Sequence, residues 1–143
     1  MEKSNKPLPL QCKLTFWYQH FVKGEDKFED SLLPVANIDT VEHFWAYYQH
    51  FKRPTSLPVG SYIYLFQRDV KPVWEDPKNQ HGGAFILRFD RTKSNRLWED
   101  ILLGFISAND KVYKYLNGVR IKVRKDFAGI DFWVRKVDDE EML

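Results

Sequence analysis

Several features that would assign the chain to a common class are missing from its sequence. Only one cysteine, Cys12, occurs in the 143 residues, so neither an internal disulfide nor a cysteine-rich metal site can form. No stretch approaches the ~18 apolar residues of a membrane span, and no N-terminal apolar run resembles a signal peptide. A net charge of only +2 argues against a protein that coats duplex nucleic acid non-specifically. These absences favour a cytoplasmic protein with no membrane partner.

Patterns of catalytic and metal-binding residues are missing too. His43 and His50 share one face of a predicted helix, but seven residues separate them by about 10 Å along its axis, which is too far for both to bind one zinc ion. No serine or cysteine nucleophile is combined with a histidine in a known order, and Gly82-Gly83 is a turn rather than a phosphate-binding loop. We therefore expect no enzymatic activity, no metal and no cofactor.

Aromatic residues are abundant. The chain has five Trp, seven Tyr and eleven Phe, more than a core of this size needs, and rings that are not in a core can stack on nucleic-acid bases. The remaining composition, 43% hydrophobic and 29% charged, is typical of one globular domain. We expect a flexible N-terminus at residues 1–7, one domain at 8–137 and an acidic tail at 138–143.

Hydrophobic periodicity predicts strands and helices that combine into an α+β fold. Strands are expected at residues 10–18, 31–38, 62–67 and 84–89 and in a hairpin over 119–135, and helices at 39–51 and 94–107. Asp39 is placed to cap the first helix, with Glu42 reaching back as in a capping box.

The hairpin combines an apolar face with a basic one. Val119, Ile121 and Val123 alternate with Arg120, Lys122 and Arg124. The apolar sets of the two strands coincide only if opposed residue numbers sum to an odd value. We expect Arg124 opposite Asp131 and Lys122 opposite Trp133. This register places Trp133 on a basic, aromatic surface outside the core.

The segment Lys71-Pro-Val-Trp-Glu-Asp76 carries a large ring directly before a carboxylate, in a turn made stiff by Pro72 and Pro77. A stacking ring, a hydrogen-bond acceptor and nearby cations are the groups that hold a cationic base and its phosphates. The alternative is that Trp74 fills the core. For Phe28, taken alone, a place in the core is the simpler interpretation.

Seven short motifs together resemble one known family. In order, they are the strand from Leu10 to Tyr18, Asp39-Thr-Val-Glu-His-Phe-Trp45, Lys71-Pro-Val-Trp-Glu-Asp76, Asn79-x-x-Gly-Gly83, Arg96-x-Trp98, Val123-Arg124 and Trp133. The sequence is similar from Leu8 to about Arg135 to the mRNA cap-binding translation initiation factor 4E family. Thr15-Phe-Trp-Tyr18, His50-x-x-Arg-Pro54 and Trp98-Glu99 resemble its 4E-homologous-protein class, which is associated with translational repression.

The resemblance implies a curved antiparallel β-sheet with helices packed on the convex face and the cap held on the concave face. It implies that Phe28 and Trp74 sandwich the 7-methylguanine, that Glu75 accepts hydrogen bonds from the base, and that Trp133 contacts the methyl edge. Arg124, with Lys122 nearby, would bind phosphate. On the helical face the family binds proteins with a Tyr-x4-Leu-hydrophobic motif. The matching positions are Pro9, Val41, Trp45, Glu99, Asp100 and Leu103.

Some positions depart from the family pattern. Phe28 stands where the major factor has Trp and the repressor class has Tyr, and Ala84 and Gly129 stand where basic residues usually face the phosphates. Lys122, Lys125 or Arg120 could compensate for Gly129. The chain also ends at Leu143, whereas the family domain continues through a further helix and further strands. We expect a C-terminally short domain with weakened cap affinity.

Two other functions are compatible with the sequence. The chain could be a decoy that has lost cap binding and titrates 4E-binding proteins through the surface around Trp45. It could also be a general single-stranded RNA binder that stacks bases on Trp74 and Trp133. The leading hypothesis is a protein that binds the cap of mRNA and regulates translation through partner proteins.

Overall fold

A computed structural model describes residues 9–20 and 32–135. These residues form one six-stranded antiparallel sheet in the order β2-β1-β3-β5-β6-β4. The strands are β1 (Pro9–His20), β2 (Leu32–Thr40), β3 (Ser61–Gln67), β4 (Gly83–Asp90), β5 (Leu116–Val123) and β6 (Phe127–Val134). The helices are α1 (Val41–Tyr48), α2 (Ser94–Ile106) and α3 (Asp110–Tyr115), with short 3-10 turns at Pro54–Ser56 and Arg91–Lys93. The predicted α+β fold, a curved antiparallel sheet with helices on its convex face, is confirmed.

The main core lies between the helices and one face of the sheet. Phe44 of α1 and Trp98, Leu102 and Phe105 of α2 are buried against alternate residues of the strands. Because α2 repeats its apolar residues at three- and four-residue intervals, they form one stripe that faces the sheet. No helix in the described residues is long and apolar enough to cross a membrane.

The opposite face of the sheet, here named the open face, carries a second cluster of large side chains, and none of the cluster's described residues belongs to a helix. Its buried members are Leu32, Tyr62, Tyr64, Phe66, Val70, Val73 and Trp133. Val70 and Val73 come from the loop between β3 and β4, which folds across this face. Every residue of β3 is buried, because helices cover one of its faces and this cluster covers the other.

The first helix differs from its prediction at both ends. It ends at Tyr48 rather than near Phe51, and its cap is Thr40, whose hydroxyl accepts a hydrogen bond from the His43 amide at 3.0 Å. Asp39 was expected to cap the helix, but it is the penultimate residue of β2 and its carboxylate pairs with Arg68 at 2.6 Å. The ion pair removes that carboxylate from the helix terminus.

The hairpin of β5 and β6 has the predicted parity but a different register. Lys122 lies opposite Gly129, Arg120 opposite Asp131 and Gly118 opposite Trp133. The predicted pairing of Arg124 with Asp131 and of Lys122 with Trp133 is therefore wrong. The turn is tight, since the Arg124 amide donates to the Phe127 carbonyl at 3.0 Å, and a short turn fixes the register.

The helix α3 was not predicted from the sequence. It spans six residues, and the side chain of Asn109 caps it by accepting a hydrogen bond from the Val112 amide at 3.2 Å. Tyr113 is its buried residue. A helix this short has too few turns to show a periodic apolar pattern, so only the capping asparagine signals it.

Candidate functional site

The loop over residues 68–82 holds the Trp74–Glu75 turn, and its own side chains fix its shape. The Asp76 carboxylate accepts hydrogen bonds from the amides of Lys71 and Lys78, both at 2.9 Å. The Asn79 side chain donates to the carbonyls of Lys71 and Val73 at 3.0 and 2.8 Å. These hydrogen bonds join residues that precede Trp74 to residues that follow it, and so fix the shape of the loop.

Asn117 of the sheet anchors this loop, and Arg135, the residue after β6, holds Asn117 in place. The buried amide of Asn117, at the start of β5, donates to the Asn79 side chain and to the Lys78 carbonyl, both at 2.8 Å. Arg135 donates in turn to the Asn117 amide oxygen at 2.9 and 3.0 Å. At the loop's end a Cβ on Gly82 would lie 1.7 Å from the Val134 carbonyl oxygen, so only glycine allows this close approach.

Trp74 lies on the open face, and the residue is 45% exposed. One side of the ring is stacked on Trp133, with centroids 3.9 Å apart and planes 7° from parallel. The neighbouring Glu75 is exposed, and its backbone carbonyl accepts a hydrogen bond from Gln80 at 3.0 Å. A partly exposed ring therefore stands beside an exposed carboxylate on a closed loop. Because the ring is exposed, the alternative that Trp74 fills the core is not supported.

Trp133 was expected outside the core, and this expectation is wrong. Only 1% of it is exposed, because Trp74 covers it from one side and Tyr64 and Phe66 contact it edge-on. The strand alternation correctly placed Trp133 on the face opposite the helices. The loop that closes over that face could not be read from alternation. A contact between Trp133 and the methyl edge of the base stays a prediction of the resemblance; in this structure Trp74 covers Trp133, and the stacking surface left open is the other side of Trp74.

Cationic side chains line the open face around one carboxylate. Arg120 pairs with the fully buried Asp131, and the Lys122 ammonium lies 3.8 Å from the same carboxylate. Arg124 donates to the Tyr62 hydroxyl at 2.6 Å. Burial has the largest single effect on the pKa of Arg120 and lowers it, but the Asp131 carboxylate and Tyr64 together outweigh burial, so the net shift of that pKa is upward.

The charge of Lys122 is compensated only in part by Asp131. Burial lowers its pKa, and the opposing effect of Asp131 is countered by the charges of Arg120, Arg88 and Arg124. Within the part of the chain that the structure describes, the charges acting on Lys122 are those of one carboxylate, Asp131, and three arginines, Arg88, Arg120 and Arg124. The resulting excess of positive charge attracts anions.

The space next to Gly129 is occupied by Lys122. Lys122 of β5 lies directly opposite Gly129 of β6. A Cβ at Gly129 would lie 2.7 Å from the Lys122 Cε, so the aliphatic part of the Lys122 side chain lies over Gly129. Compensation by Lys122 for the basic residue that position 129 lacks stays a prediction. Ala84, the other departure, lies on β4 directly opposite Trp133. Phe28, the predicted second stacking ring, lies outside the described residues.

On the helical face a second candidate surface surrounds Trp45. Trp45 is 42% exposed and packs edge-on against Phe44 and Tyr48. Together with Trp98 and Glu99 it lines a cleft of about 230 Å³. Burial and the Glu99 carboxylate raise the pKa of Tyr48 to about 12. An exposed indole next to a carboxylate is an arrangement that can receive a partner side chain.

The other predicted partner residues are spread around this cleft. Val41 and Leu103 are partly buried on α1 and α2, and Pro9 is exposed at the first residue of β1. Asp100 lines a separate groove between α2 and α3. Trp45 and Glu99 line the same cleft, and the partner-binding roles of all six positions stay predictions.

Sequence reasoning missed several residues that build the open face. They are Tyr62, Tyr64, Asn79, Asn117 and Asp131. The parity of the hairpin already placed Asp131 on the same face as Trp133, so a search for a partner of Arg120 could have found it. No pattern in the sequence linked Asn79 to Asn117. Among the described residues no group of three or more His, Cys, Asp or Glu side chains is placed to hold a metal ion.

The family model for eukaryotic initiation factor 4E matches residues 9–143. The chain belongs to this family. Among curated proteins of the initiation factor 4E family, translation initiation factor NCBP of Oryza sativa subsp. japonica is 33% identical over 99% of this chain. The initiation factor 4E of Saccharomyces cerevisiae is 36% identical over 94%. This chain spans just under two thirds of each relative, 66% of the rice protein and 65% of the yeast protein.

Solved structures of initiation factor 4E proteins share the fold. Ascaris suum eIF4E-3 with m7G cap superposes with a TM-score of 0.88 at 32% identity, covering 95% of this chain and 78% of that one. Caenorhabditis elegans eIF4E-3 with the 4E-binding protein Mextli gives a TM-score of 0.87 at 30% identity, covering 95% and 80%. These structural neighbours thus include one complex with cap and one with a 4E-binding protein. Assignment of this chain to the 4E-homologous class within the family stays a prediction.

Proposed function

We propose that this protein binds the 7-methylguanosine cap of mRNA on its open face and regulates translation through 4E-binding proteins on its helical face. The observation that carries the proposal is the exposed ring of Trp74 beside Glu75 on a hydrogen-bonded loop above a cationic surface. The protein acts by binding, without a chemical step, and its place of action is the cytoplasm, where mRNA is translated.

The base stacks on the side of Trp74 that faces away from Trp133. Methylation makes the guanine cationic, and a cation over an indole gains about 2 kcal/mol when it is desolvated. The Glu75 carboxylate accepts hydrogen bonds from the ring N–H and the exocyclic amine, and a charged acceptor makes such bonds the stronger kind. Phe28 is the proposed ring on the other side of the base.

The phosphates lie over the cations of the open face. Arg124 and Lys122 carry charge that Asp131 does not neutralise, and a triphosphate supplies the missing anions. Lys122 takes the role of the basic residue that position 129 lacks. This division of roles assigns base selectivity to the loop and a large share of the affinity to the sheet.

The test is a titration of tryptophan fluorescence with 7-methylguanosine triphosphate, with unmethylated GTP as the control ligand. We expect saturable quenching by the methylated nucleotide and much weaker quenching by GTP. A Trp74→Leu variant should lose the quenching because it lacks the stacking ring, and it should remain folded because leucine still covers part of Trp133. Equal quenching by both nucleotides would instead indicate general base stacking.

A second candidate function is the protein-interaction decoy. It is favoured by the cleft that Trp45 and Glu99 line and by the contact that covers one side of Trp74. The Trp45→Ala variant separates the two surfaces, since it should lose binding to a Tyr-x4-Leu-hydrophobic peptide while it keeps the response to the methylated nucleotide. Peptide binding by a folded wild-type chain that responds to neither nucleotide would establish the decoy.

A further inference from the structure

A buried ion pair lies on the open face, directly beside the stacked tryptophans. Arg120 of β5 and Asp131 of β6 are opposite each other in the sheet, and their side chains are paired. The Asp131 side chain is fully buried and that of Arg120 is 16% exposed. Neither residue belongs to the motifs that carry the family resemblance.

The guanidinium of Arg120 is surrounded by rings as well as by the carboxylate. Its central carbon lies 5.2 Å from the ring centre of Tyr62, 5.7 Å from that of Tyr64 and 5.4 Å from that of Trp133. A planar cation held by a carboxylate has few orientations, and an arginine contacts ring faces in this way where a lysine would not. Arg120 therefore fixes the relative positions of rings on two strands.

Trp133 connects Arg120 to the loop that carries Trp74. It contacts Arg120 on the sheet and stacks on Trp74 of the loop, so its position sets the plane in which Trp74 lies. We propose that Arg120 and Asp131 are positioning residues of the cap site, which orient Trp74 through Trp133. This inference rests on the proposed function of Trp74 as the stacking ring.

The ion pair of Arg120 and Asp131 is expected to contribute little net stability to the fold. A buried ion pair must overcome the desolvation of both charges, and its replacement by apolar residues of similar size is often neutral or stabilising. Positioning is different, because a binding ring held loosely by its supporting residues loses affinity even in a stable fold. The two roles therefore respond differently to the same substitution.

The experiment uses the double variant Arg120→Met/Asp131→Leu in the full chain. Two quantities are measured besides thermal stability: the affinity for 7-methylguanosine triphosphate and the circular-dichroism exciton signal of the tryptophan pair, defined as the signal lost in Trp74→Phe. We expect a melting temperature close to that of the wild type, a weakened exciton signal and cap affinity lowered about tenfold or more. An unchanged exciton signal with unchanged affinity would overturn the proposal.

A control and a second variant keep the test decisive. Phe105 lies in the core under the helices, so Phe105→Leu should lower the melting temperature and leave the exciton signal and the cap affinity intact.

If the double variant does not fold, Arg120→Lys replaces it. This variant keeps a positive charge beside Asp131 but removes the planar group, so it should weaken the exciton signal. A retained signal contradicts the proposal. If the wild type binds no cap, the proposed function fails, and the exciton signal alone decides whether the pair positions Trp74.

Discussion

Trp74 lies flat on Trp133, with ring centroids 3.9 Å apart and planes 7° from parallel. The contact joins a loop residue to a strand residue and leaves one side of the Trp74 ring for a ligand. Because Trp133 is itself buried among the rings of Tyr64 and Phe66, the loop tryptophan rests on a fixed support. The exposed side of Trp74 is therefore a stacking surface whose position is fixed by buried side chains beneath it.

Replacement of Glu75 by Gln tests recognition of the base. We expect the affinity for the methylated nucleotide to fall at least about tenfold, because hydrogen bonds to a charged acceptor contribute about 1.5–3 kcal/mol each. The melting temperature should stay unchanged, since Glu75 is exposed. Isothermal titration of both proteins measures the difference. Wild-type affinity in the variant would remove Glu75 from the site.

Replacement of Lys122 by Met tests the phosphate side. We expect binding of 7-methylguanosine triphosphate to weaken about three- to tenfold. Binding of the nucleoside 7-methylguanosine, which has no phosphates, should be unchanged. Stability should change little, because loss of the 3.8 Å contact with Asp131 is offset by relief of the repulsion between Lys122 and the neighbouring arginines. Lys111→Met, at an exposed position of α3, is the matched control. An equal loss for nucleoside and triphosphate would contradict a phosphate contact.

Replacement of Asn117 by Ala tests the anchor of the Trp74 loop. The substitution leaves the Lys78 carbonyl and the Asn79 side chain without a buried donor, so the unfolding free energy should fall by about 1–3 kcal/mol. Hydrogen exchange of the amides of Lys71 and Lys78 should accelerate. Asn109→Ala removes the cap of α3 and costs about 1 kcal/mol without contacting the loop. Faster loop exchange in this control as well would show that the anchor is not specific.

Alkaline pH should unfold the protein through its buried tyrosines. Burial raises the pKa of Tyr64 to about 12 from an ordinary value of 10.0, so the folded state favours the neutral phenol. Its contribution, up to about 3 kcal/mol, is complete below pH 10 and is lost as the pH rises through about 12. Denaturant unfolding at successive pH values measures the loss, which Tyr64→Phe should reduce. Full tyrosine ionisation near pH 10 in a chain that stays folded would contradict this expectation.

Much of the fold followed from the sequence, because periodic patterns report local structure and the buried side of each element. The stripe through Trp98 and Leu102 predicted α2, and the alternation along β5 and β6 predicted which residues share a face. The errors have physical causes. The hairpin register depended on the geometry of a turn of three residues, and the α1 cap depended on an ion pair between Asp39 and a residue distant in sequence, Arg68.

The candidate site was found from the sequence only in part. Trp74 and Glu75 are adjacent and stand in a distinctive turn, so the sequence alone identified the turn that carries them. Their support was not visible, because Asn117 and Arg135 lie far along the chain from the loop they hold. The exposure of Trp133 was predicted wrongly, since alternation shows which face a residue occupies and not what covers that face.

The sequence by itself determined the family, the order of the strands and of the two longer helices, and the residue types available for binding a cationic base. These properties depend on local spacing, which the chain carries in full. The tertiary structure alone decided that Trp74 rests on Trp133, that Lys122 fills the space beside Gly129 and that Arg120 is held between Asp131 and three rings. Such contacts depend on strand register and loop closure, which the whole fold fixes together.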